Sequence, residues 1–466
     1  MSSLSFFRKL SISRLRAGRW TRLKVSETST AWVDAFREYT SDRKWYRMYG
    51  KVTKVVGMTI ESRGPHANLG DVCVIRTSFG PPSLAEVVGF RDNLLVMTPL
   101  TELHAVGPGA DVMALNRPLG IPCGEGLLGR VLNGLGEPID GLGPVVPERI
   151  QPIDGHPPNP LRRQRIERPL ATGVRLIDSM LTVGRGQRMG IFAGSGVGKS
   201  TLLSMIARSS TTELNVIALV GERGREVREF IEGDLGPEGL KRSVVVTATS
   251  DEPALLRTKA AFVATAIAEY FRDQGRHVNL MMDSLTRFAM AQREIGLAVG
   301  EPPTSRGYTP SVFALLPRLL ERAGSGEKGT ITAFYTVLVD GDDMNDPIAD
   351  AVRGILDGHI VLSRDLANAG QFPAVDVLAS LSRLFAHLTP TEQQAGARQV
   401  RAWMSRYRQV EDLLRIGAYQ RGLDAETDLA IDKYPQIRTF LNQAASEPCS
   451  LDESLRQLYI LAGVET

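Results

Sequence analysis

Gly190-Ile-Phe-Ala-Gly-Ser-Gly-Val-Gly-Lys-Ser-Thr-Leu-Leu203 is the segment from which the architecture of this chain can best be predicted. It carries the Gly-Lys-Ser ending that is typical of a phosphate-binding P-loop. Gly194, Gly196 and Gly198 lack a Cβ, so the backbone can turn its N–H groups onto phosphate oxygens. An apolar, strand-like run precedes the loop and a helical pattern over residues 199–207 follows it. The motif therefore predicts a nucleotide phosphate bound at a helix N-terminus.

Different side chains of the motif are expected to contact the phosphates and the metal ion. We predict that Lys199 reaches the β- and γ-phosphates as a point charge and that the Ser200 hydroxyl is a ligand of Mg²⁺. The first position of the motif is Ala193 rather than glycine, so only a negative φ is comfortable there. The predicted nucleotide-binding residues of the loop are Ala193, Gly194, Ser195, Gly196, Val197, Gly198, Lys199, Ser200 and Thr201.

Composition places the chain among ordinary soluble globular proteins. Its 466 residues are 43% hydrophobic and 23% charged, with a formal net charge of +3, which predicts two or three domains and excludes a polyelectrolyte binder. The three cysteines, Cys73, Cys123 and Cys449, lack metal-binding spacing and are expected to be reduced thiols in a cytosolic protein. No apolar run is long enough to span a bilayer.

The N-terminal segment, residues 1–45, differs from the rest. Its first 26 residues carry several Arg and Lys and no acidic residue, and it lacks the continuous apolar region of a secretory signal. Two interpretations stay open: a short amphipathic helix that docks on a membrane surface or a partner, and a frayed basic tail.

Residues 46–115 contain short β-rich runs separated by turn residues, over 50–57, 71–76, 85–89 and 93–97, and they predict a small β-barrel. A nucleic-acid-binding barrel needs interleaved aromatic residues that these runs lack, so a structural collar is favoured. A loop-rich linker begins at residue 116 and leads into a nucleotide-binding domain that extends to 380.

In that domain, strand-like runs over 215–220, 243–249, 278–283, 331–339 and 358–363 alternate with helical stretches such as 254–272 and 310–322. This alternation predicts a mainly parallel sheet with helices on both faces and a ligand at the carboxyl ends of the strands. Residues 381–466 are predicted to form a helical domain, with a break at Gly417 and Gly422.

Two carboxylates follow predicted strands of this sheet. Asp283 ends an apolar run, as a Walker B aspartate does, and we predict that it holds Mg²⁺ together with Ser200. Glu222 follows the strand at 214–220 and is a candidate for orienting or deprotonating the attacking water. From spacing alone, a surface glutamate paired with Arg223 or Arg225 is an equally good interpretation.

Three further features are ambiguous by spacing. The acidic loop over 340–346 does not fit an EF-hand, and a solvated loop or partner contact is favoured over a calcium site. Phe372 is suited to stacking on adenine and Arg383 to acting on phosphate charge, yet spacing alone marks them only as a core phenylalanine and a surface arginine.

Taken together, these motifs resemble the catalytic subunits of rotary ATPases and, more closely, the flagellar type III protein export ATPases. The resemblance runs from Tyr46 to the C-terminus. It implies an α/β fold with an N-terminal small β-barrel, a central RecA-like domain and a C-terminal helical domain. Its most specific pieces are residues 192–201, 220–230, 283–294, 300–303 and 373–383.

The resemblance implies a role for each uncertain residue. Ala193 matches the export branch, Glu222 falls on the catalytic glutamate of the family, and Phe372 on an adenine-packing aromatic. Arg383 falls on an arginine finger that is offered to the nucleotide of a neighbouring subunit. The loop over 340–346 matches a region that faces a central stalk.

The implied protein is an ATP- and Mg²⁺-dependent homohexameric ring. It is expected in the cytoplasm, peripherally associated with the inner membrane at the export apparatus. Turnover would be coupled to the release of export chaperones and the unfolding of export substrates at a membrane export gate. The implied partners are a stator-like regulator at the N-terminus and a central-stalk-like coiled-coil protein, with no nucleic acid.

The branch of the family is argued from two stretches, 55–65 and 416–419, which look flagellar because the injectisome branch more often has Glu at the position of Ala418. An injectisome secretion ATPase is the alternative. A hexameric RNA helicase shares the ATPase core but predicts an aromatic RNA-binding barrel. A non-enzymatic scaffold ring is opposed by the presence of both Glu222 and Arg383.

Overall fold

Residues 48–77, 80–339 and 343–464 are the part of the chain that the structure, a computed structural model, describes. The basic segment predicted over residues 1–45 lies outside this part, as do residues 340–342 of the acidic loop.

The N-terminal strands close into a barrel in the order β1-β2-β5-β4-β3-β6, with antiparallel neighbours throughout. Alternate side chains such as Ile60, Ile75 and Met97 point inward and are fully buried. The predicted barrel is confirmed, and β2 and β6 are strands that the sequence analysis did not foresee. The six strands are β1 Tyr49–Val56, β2 Thr59–Arg63, β3 Val72–Arg76, β4 Ser83–Arg91, β5 Leu94–Pro99 and β6 Asp111–Ala114.

The segment that leads from the barrel into the nucleotide-binding domain is more ordered than the predicted linker. β7 and β9 pair with each other, β10 pairs with β11, and β8 adds an edge strand to the main sheet. The elements are β7 Gly120–Cys123, β8 Val131–Leu132, β9 Arg149–Pro152, β10 Pro169–Leu170, helix α1 Arg175–Met180 and β11 Val183–Gly184.

The main sheet has the order β19-β18-β12-β17-β15-β13-β14-β8, and every pair from β18 to β8 is parallel. β19 pairs antiparallel with β18, and β16 with β17. The strands are β12 Arg188–Ala193, β13 Leu214–Val220, β14 Ser243–Ala248, β15 His277–Asp283, β16 Gly324–Ser325, β17 Thr330–Leu338, β18 Gly358–Leu362 and β19 Leu381–Ser382.

Helices cover both faces of this sheet. On β13, Val216 and Ala218 belong to the hydrophobic cluster of one face, while Ile217 and Leu219 belong to the cluster of the other. Strands buried on both faces are continuously apolar, which is the pattern that predicted a parallel sheet. The helices are α2 Lys199–Ser209, α3 Gly224–Glu229, α4 Gly236–Lys241, α5 Ala254–Asp273, α6 Leu285–Val299, α7 Pro310–Leu320, α8 Pro347–Ile355, α9 Arg364–Asn368, α10 Phe385–Leu388, α11 Thr391–Arg415, α12 Ala425–Leu441 and α13 Leu451–Ala462.

The predicted break in the C-terminal helices is confirmed between α11 and α12. Gly417 and Gly422 lie in this turn with φ of +69° and +92°, a backbone region that favours glycine. The predicted fold class is thereby confirmed in its three parts: barrel, parallel sheet with helices on both faces, and C-terminal helices.

Candidate active site

The phosphate-binding loop connects β12 to α2 at the carboxyl edge of the sheet. Gly196 and Gly198 have φ of +79° and +90°, so both use conformations that a side chain would strain. Val197 is buried and anchors the loop, whereas Ser195 and Gly196 are exposed at its tip. Ala193 is the last residue of β12, and Gly194 is the first residue after that strand.

Helix α2 begins at Lys199, so Lys199, Ser200 and Thr201 are its first three residues. The first N–H groups of a helix lack intrahelical acceptors and carry a partial positive charge. These amides, the loop amides and the Lys199 ammonium form a set of donors that suits a polyphosphate. Lys199 and Ser200 are each partly exposed as residues, although little of the Lys199 side chain is accessible.

One ammonium group and two carboxylates meet beside the loop. Lys199 Nζ lies 2.5 Å from Asp283 Oδ1 and 3.7 Å from Glu222 Oε1. The three side chains are nearly buried. The structure therefore brings together Lys199, Glu222 and Asp283, three residues that the sequence analysis selected from three different strand ends.

The pKa of Glu222 is raised to about 7, first by burial and second by the negative charge of Asp283, while Lys199 and Arg287 oppose the rise. A carboxyl group that titrates near neutral pH is suited to accept or share a proton under working conditions. Its partners favour this role over the alternative of a surface pair, because Glu222 contacts Lys199 and Arg287 and neither Arg223 nor Arg225.

Gly221 gives Glu222 its direction. It has φ of +70°, and a Cβ on it would lie 2.9 Å from Cδ of Arg287. The chain can therefore turn sharply after β13 only with glycine here, and the turn is completed by Ser250 N–H, which donates to the Glu222 carbonyl.

Asp283 ends β15 and is held by its neighbouring strand. The Thr336 hydroxyl lies 2.8 Å from Asp283 Oδ1. The oxygen ligands that Mg²⁺ prefers are available here as the Asp283 carboxylate and the Ser200 hydroxyl, so the residues present fit this ion. The described residues contain no group of three His, Cys, Asp or Glu that is arranged to hold a metal.

Phe372 lies against the phosphate-binding loop. A Cβ on Gly198 would be 3.9 Å from Cδ1 of its ring, and the residue is 49% exposed. Its backbone is fixed by two neighbours from the end of α12, since its N–H donates to Asn442 Oδ1 and its carbonyl accepts from Gln443 N–H. An aromatic face is thus available next to the phosphate site, where a nucleotide base would lie.

Arg383 lies away from this cluster. It follows β19, whose Ser382 pairs with Gly358 at the amino end of β18, and its N–H donates to the Asp357 carbonyl. The phosphate-binding loop leaves the opposite, carboxyl end of the neighbouring β12. Five residues of strand separate the two levels, which is about 16 Å. Arg383 is exposed, and its guanidinium contacts the Arg353 carbonyl at 3.3 Å.

The described part of the acidic loop makes salt bridges rather than a metal site. Arg306 contacts Asp343 at 2.7 Å and Asp346 at 3.1 Å. Asp346 also caps helix α8 by accepting from Ile348 and Ala349 N–H groups. These contacts agree with the preference for a solvated or contact loop.

Two residues of the site escaped the sequence analysis as individuals. Arg287 contacts Glu222 at 3.3 Å, and Thr336 contacts Asp283. Arg287 lay within the quoted stretch 283–294, four residues after Asp283. Thr336 lay near the carboxyl end of a predicted strand, where a polar residue in an apolar run was the only available signal.

Two protein families match separate parts of this chain. Residues 173–382 match the nucleotide-binding domain of the ATP synthase alpha/beta family, and residues 389–459 match the C-terminal domain of the type III secretion ATPase EscN.

Individual relatives match over nearly their full lengths. The chain is 58% identical to the flagellum-specific ATP synthase of Bacillus subtilis (strain 168) over 90% of this chain and 96% of the relative. It is 55% identical to the type 3 secretion system ATPase of Xanthomonas euvesicatoria over 88% of this chain and 93% of the relative.

A solved structure has the same fold. The assembled ATPase EscN of the enteropathogenic E. coli type III secretion system is 44% identical, with a TM-score of 0.84 over 89% of this chain and 100% of EscN. EscN in complex with its central stalk EscO is also 44% identical, with a TM-score of 0.82 and the same coverage of both chains.

Proposed function

Because this chain belongs to the ATP synthase alpha/beta family and to its type III secretion branch, we infer that it is the ATPase of a flagellar protein export apparatus. It is an ATP-binding, ATP-hydrolysing enzyme. The observation that carries the flagellar assignment is the 58% identity to a flagellum-specific relative across 96% of that relative.

The residues of the cluster take the following parts in hydrolysis. Lys199 and the loop amides bind the β- and γ-phosphates, and Glu222 orients the attacking water and accepts its proton, for which a pKa of about 7 is suited. Phe372 packs on the adenine. The proposal is supported by the short distances among Lys199, Glu222 and Asp283 and by the aromatic ring beside the loop.

Ser200 and Asp283 are the residues that would hold Mg²⁺. When bound, the ion neutralises charge on the phosphate oxygens during transfer. Asp283 is suited to this role because its carboxylate lies at the carboxyl edge of the sheet beside Lys199 and stays close to Glu222.

We further propose that the chain works as a homohexamer in which Arg383 completes the site of a neighbour. Support comes from its position: Arg383 is exposed and lies at the opposite end of the strands from the loop of its own chain. An arginine so placed reaches a γ-phosphate only on another copy. Support also comes from EscN, which shares this fold and forms an assembled ATPase and a complex with its central stalk EscO.

The remaining partners and the location follow from the same membership. The ring would contact a coiled-coil central stalk, export chaperones with their substrates, and a membrane export gate, with a stator-like regulator at residues 1–45. It would act in the cytoplasm at the inner membrane. None of the helices in the described part of the chain combines the length and apolar character that crossing a bilayer requires.

Two experiments test the function. In the source bacterium, replacing the chain with Glu222→Gln should abolish export of flagellar proteins and motility while other secreted proteins are unaffected. Loss of virulence-type secretion with intact flagella would instead support the injectisome alternative, which the 55% identical Xanthomonas relative represents. In vitro, ATP turnover should be insensitive to added RNA, and RNA stimulation would support the helicase alternative.

A further inference from the structure

Thr336 is a buried hydroxyl that points at the site. It lies near the carboxyl end of β17, directly beyond the pairing of Tyr335 with Met282, so it is level with Asp283 on the neighbouring strand. It is 0% exposed. Its oxygen is 2.8 Å from Asp283 Oδ1 and 3.2 Å from the Met282 carbonyl. A threonine hydroxyl has one proton, and the shorter contact to a charged acceptor takes it.

The two carboxylate oxygens of Asp283 differ in the hydrogen bonds that they accept. Oδ1 receives the Thr336 hydroxyl and the Lys199 ammonium, the latter at 2.5 Å. Among the residues that the structure describes, no group donates to Oδ2 within hydrogen-bond distance. Donors that hold one oxygen fix the orientation of the carboxylate and leave the second oxygen free to accept a metal or a metal-bound water.

Lys199 has a second task that Thr336 does not share. A P-loop lysine contacts the β- and γ-phosphates, so its ammonium is drawn away from the carboxylate when nucleotide binds. Thr336 is then the donor that remains on Oδ1. We propose that Thr336 is a positioning residue that keeps Asp283 oriented toward Mg²⁺ in the nucleotide-bound enzyme. This inference rests on the proposed assignment of Asp283 to that ion.

The test removes the hydroxyl and keeps the shape. Thr336→Val in the full chain should raise the Mg²⁺ concentration for half-maximal binding of a fluorescent ATP analogue about tenfold, the effect of one hydrogen bond to a charged group. Binding of the analogue in EDTA should change little. Thr336→Ser, which keeps the hydroxyl, should restore the Mg²⁺ dependence of the wild type.

Thr332 supplies a matched control on the same strand. It is buried, and its hydroxyl accepts from Gly186 N–H at 2.9 Å near the opposite end of β17. Thr332→Val should lower the unfolding temperature and leave the Mg²⁺ dependence unchanged.

Two results would overturn the inference. One is a folded Thr336→Val protein with the Mg²⁺ dependence of the wild type, and the other is an equal loss of analogue binding with and without Mg²⁺, which indicates a merely structural hydroxyl. Asp283→Asn separates the inference from its premise, because an unchanged Mg²⁺ dependence in that variant refutes the assignment of Asp283 itself.

Discussion

Glu222→Gln is expected to stabilise the protein in the absence of nucleotide at pH 8 while it abolishes hydrolysis. The pKa of this carboxyl is raised from 4.5 to about 7 by burial and by Asp283. Because the folded pKa exceeds the unfolded one, the stability associated with Glu222 is fully present below about pH 4.5 and is lost as the pH rises through about 7. Glutamine imitates the protonated form at every pH and avoids this loss.

The size of the effect follows from the two pKa values. A difference between 4.5 and about 7 corresponds to about 3 kcal/mol as an upper bound, at about 1.4 kcal/mol per pH unit. Lys199 and Arg287 lose their ion pairs with Glu222 in the variant, although Lys199 keeps its pair with Asp283. These losses and the relaxation of the site reduce the gain, so about 1–2 kcal/mol is expected at pH 8. For a chain of 466 residues that is a rise of only about 1–2 °C in the unfolding temperature.

The assay is differential scanning calorimetry of wild type and Glu222→Gln at pH 8 and pH 5.5, without nucleotide or Mg²⁺. The difference should be largest at pH 8 and less than half as large at pH 5.5, where the unfolded carboxyl is ionised and the folded one is still protonated. Glu229→Gln is the control, since Glu229 is an exposed residue paired with Arg225, and its loss should change stability by less than about 0.5 kcal/mol. A Glu222→Gln protein that is less stable than wild type at pH 8, or equally shifted at both pH values, would show that the charged form of Glu222 does not destabilise the folded protein.

Three further predictions concern other parts of the chain. Lys259→Ala leaves Glu86, its buried partner at 2.7 Å, as an unpaired charge between the barrel and α5, and calorimetry should show a loss of about 3 kcal/mol in the free energy of unfolding. A loss below about 1 kcal/mol would contradict this prediction. Phe372→Ala should raise the KM for ATP roughly tenfold with a smaller change in kcat, whereas the KM of Phe372→Tyr should stay near that of wild type. Steady-state kinetics of ATP hydrolysis measure both parameters. Gly221→Ala should cost about 1–3 kcal/mol in stability and most of the ATPase rate, because its Cβ meets Arg287; a fully active variant would show that the turn is not required.

The sequence predicted the sheet well because its strands are buried on both faces. Continuous apolar runs such as the one in β13 have few alternatives once helical stretches separate them. The short strands were harder to predict from the sequence. β8 has two residues in a loop-rich segment and forms only because the edge of β14 accepts it, a tertiary effect that local patterning does not contain.

The sequence likewise predicted some residues of the active site better than others. Lys199 and Asp283 were identified because each follows a strand in a recognisable motif. Glu222 remained ambiguous by spacing, and the structure favours the site because Gly221 turns the side chain toward Lys199 instead of toward solvent. Thr336 was missed because its partner is on a strand 53 residues away in sequence.

In the proposed hexamer, each active site is shared between two copies of the chain through Arg383. The most direct measurement is specific ATPase activity against protein concentration for wild type, Arg383→Ala and the control Arg456→Ala, an exposed arginine on α13. We predict that the specific activity of wild type and of the control rises with concentration as rings assemble, and that Arg383→Ala assembles but stays inactive. A wild-type rate that is independent of concentration, together with a fully active Arg383→Ala protein, would show that Arg383 does not complete the site of a neighbouring copy.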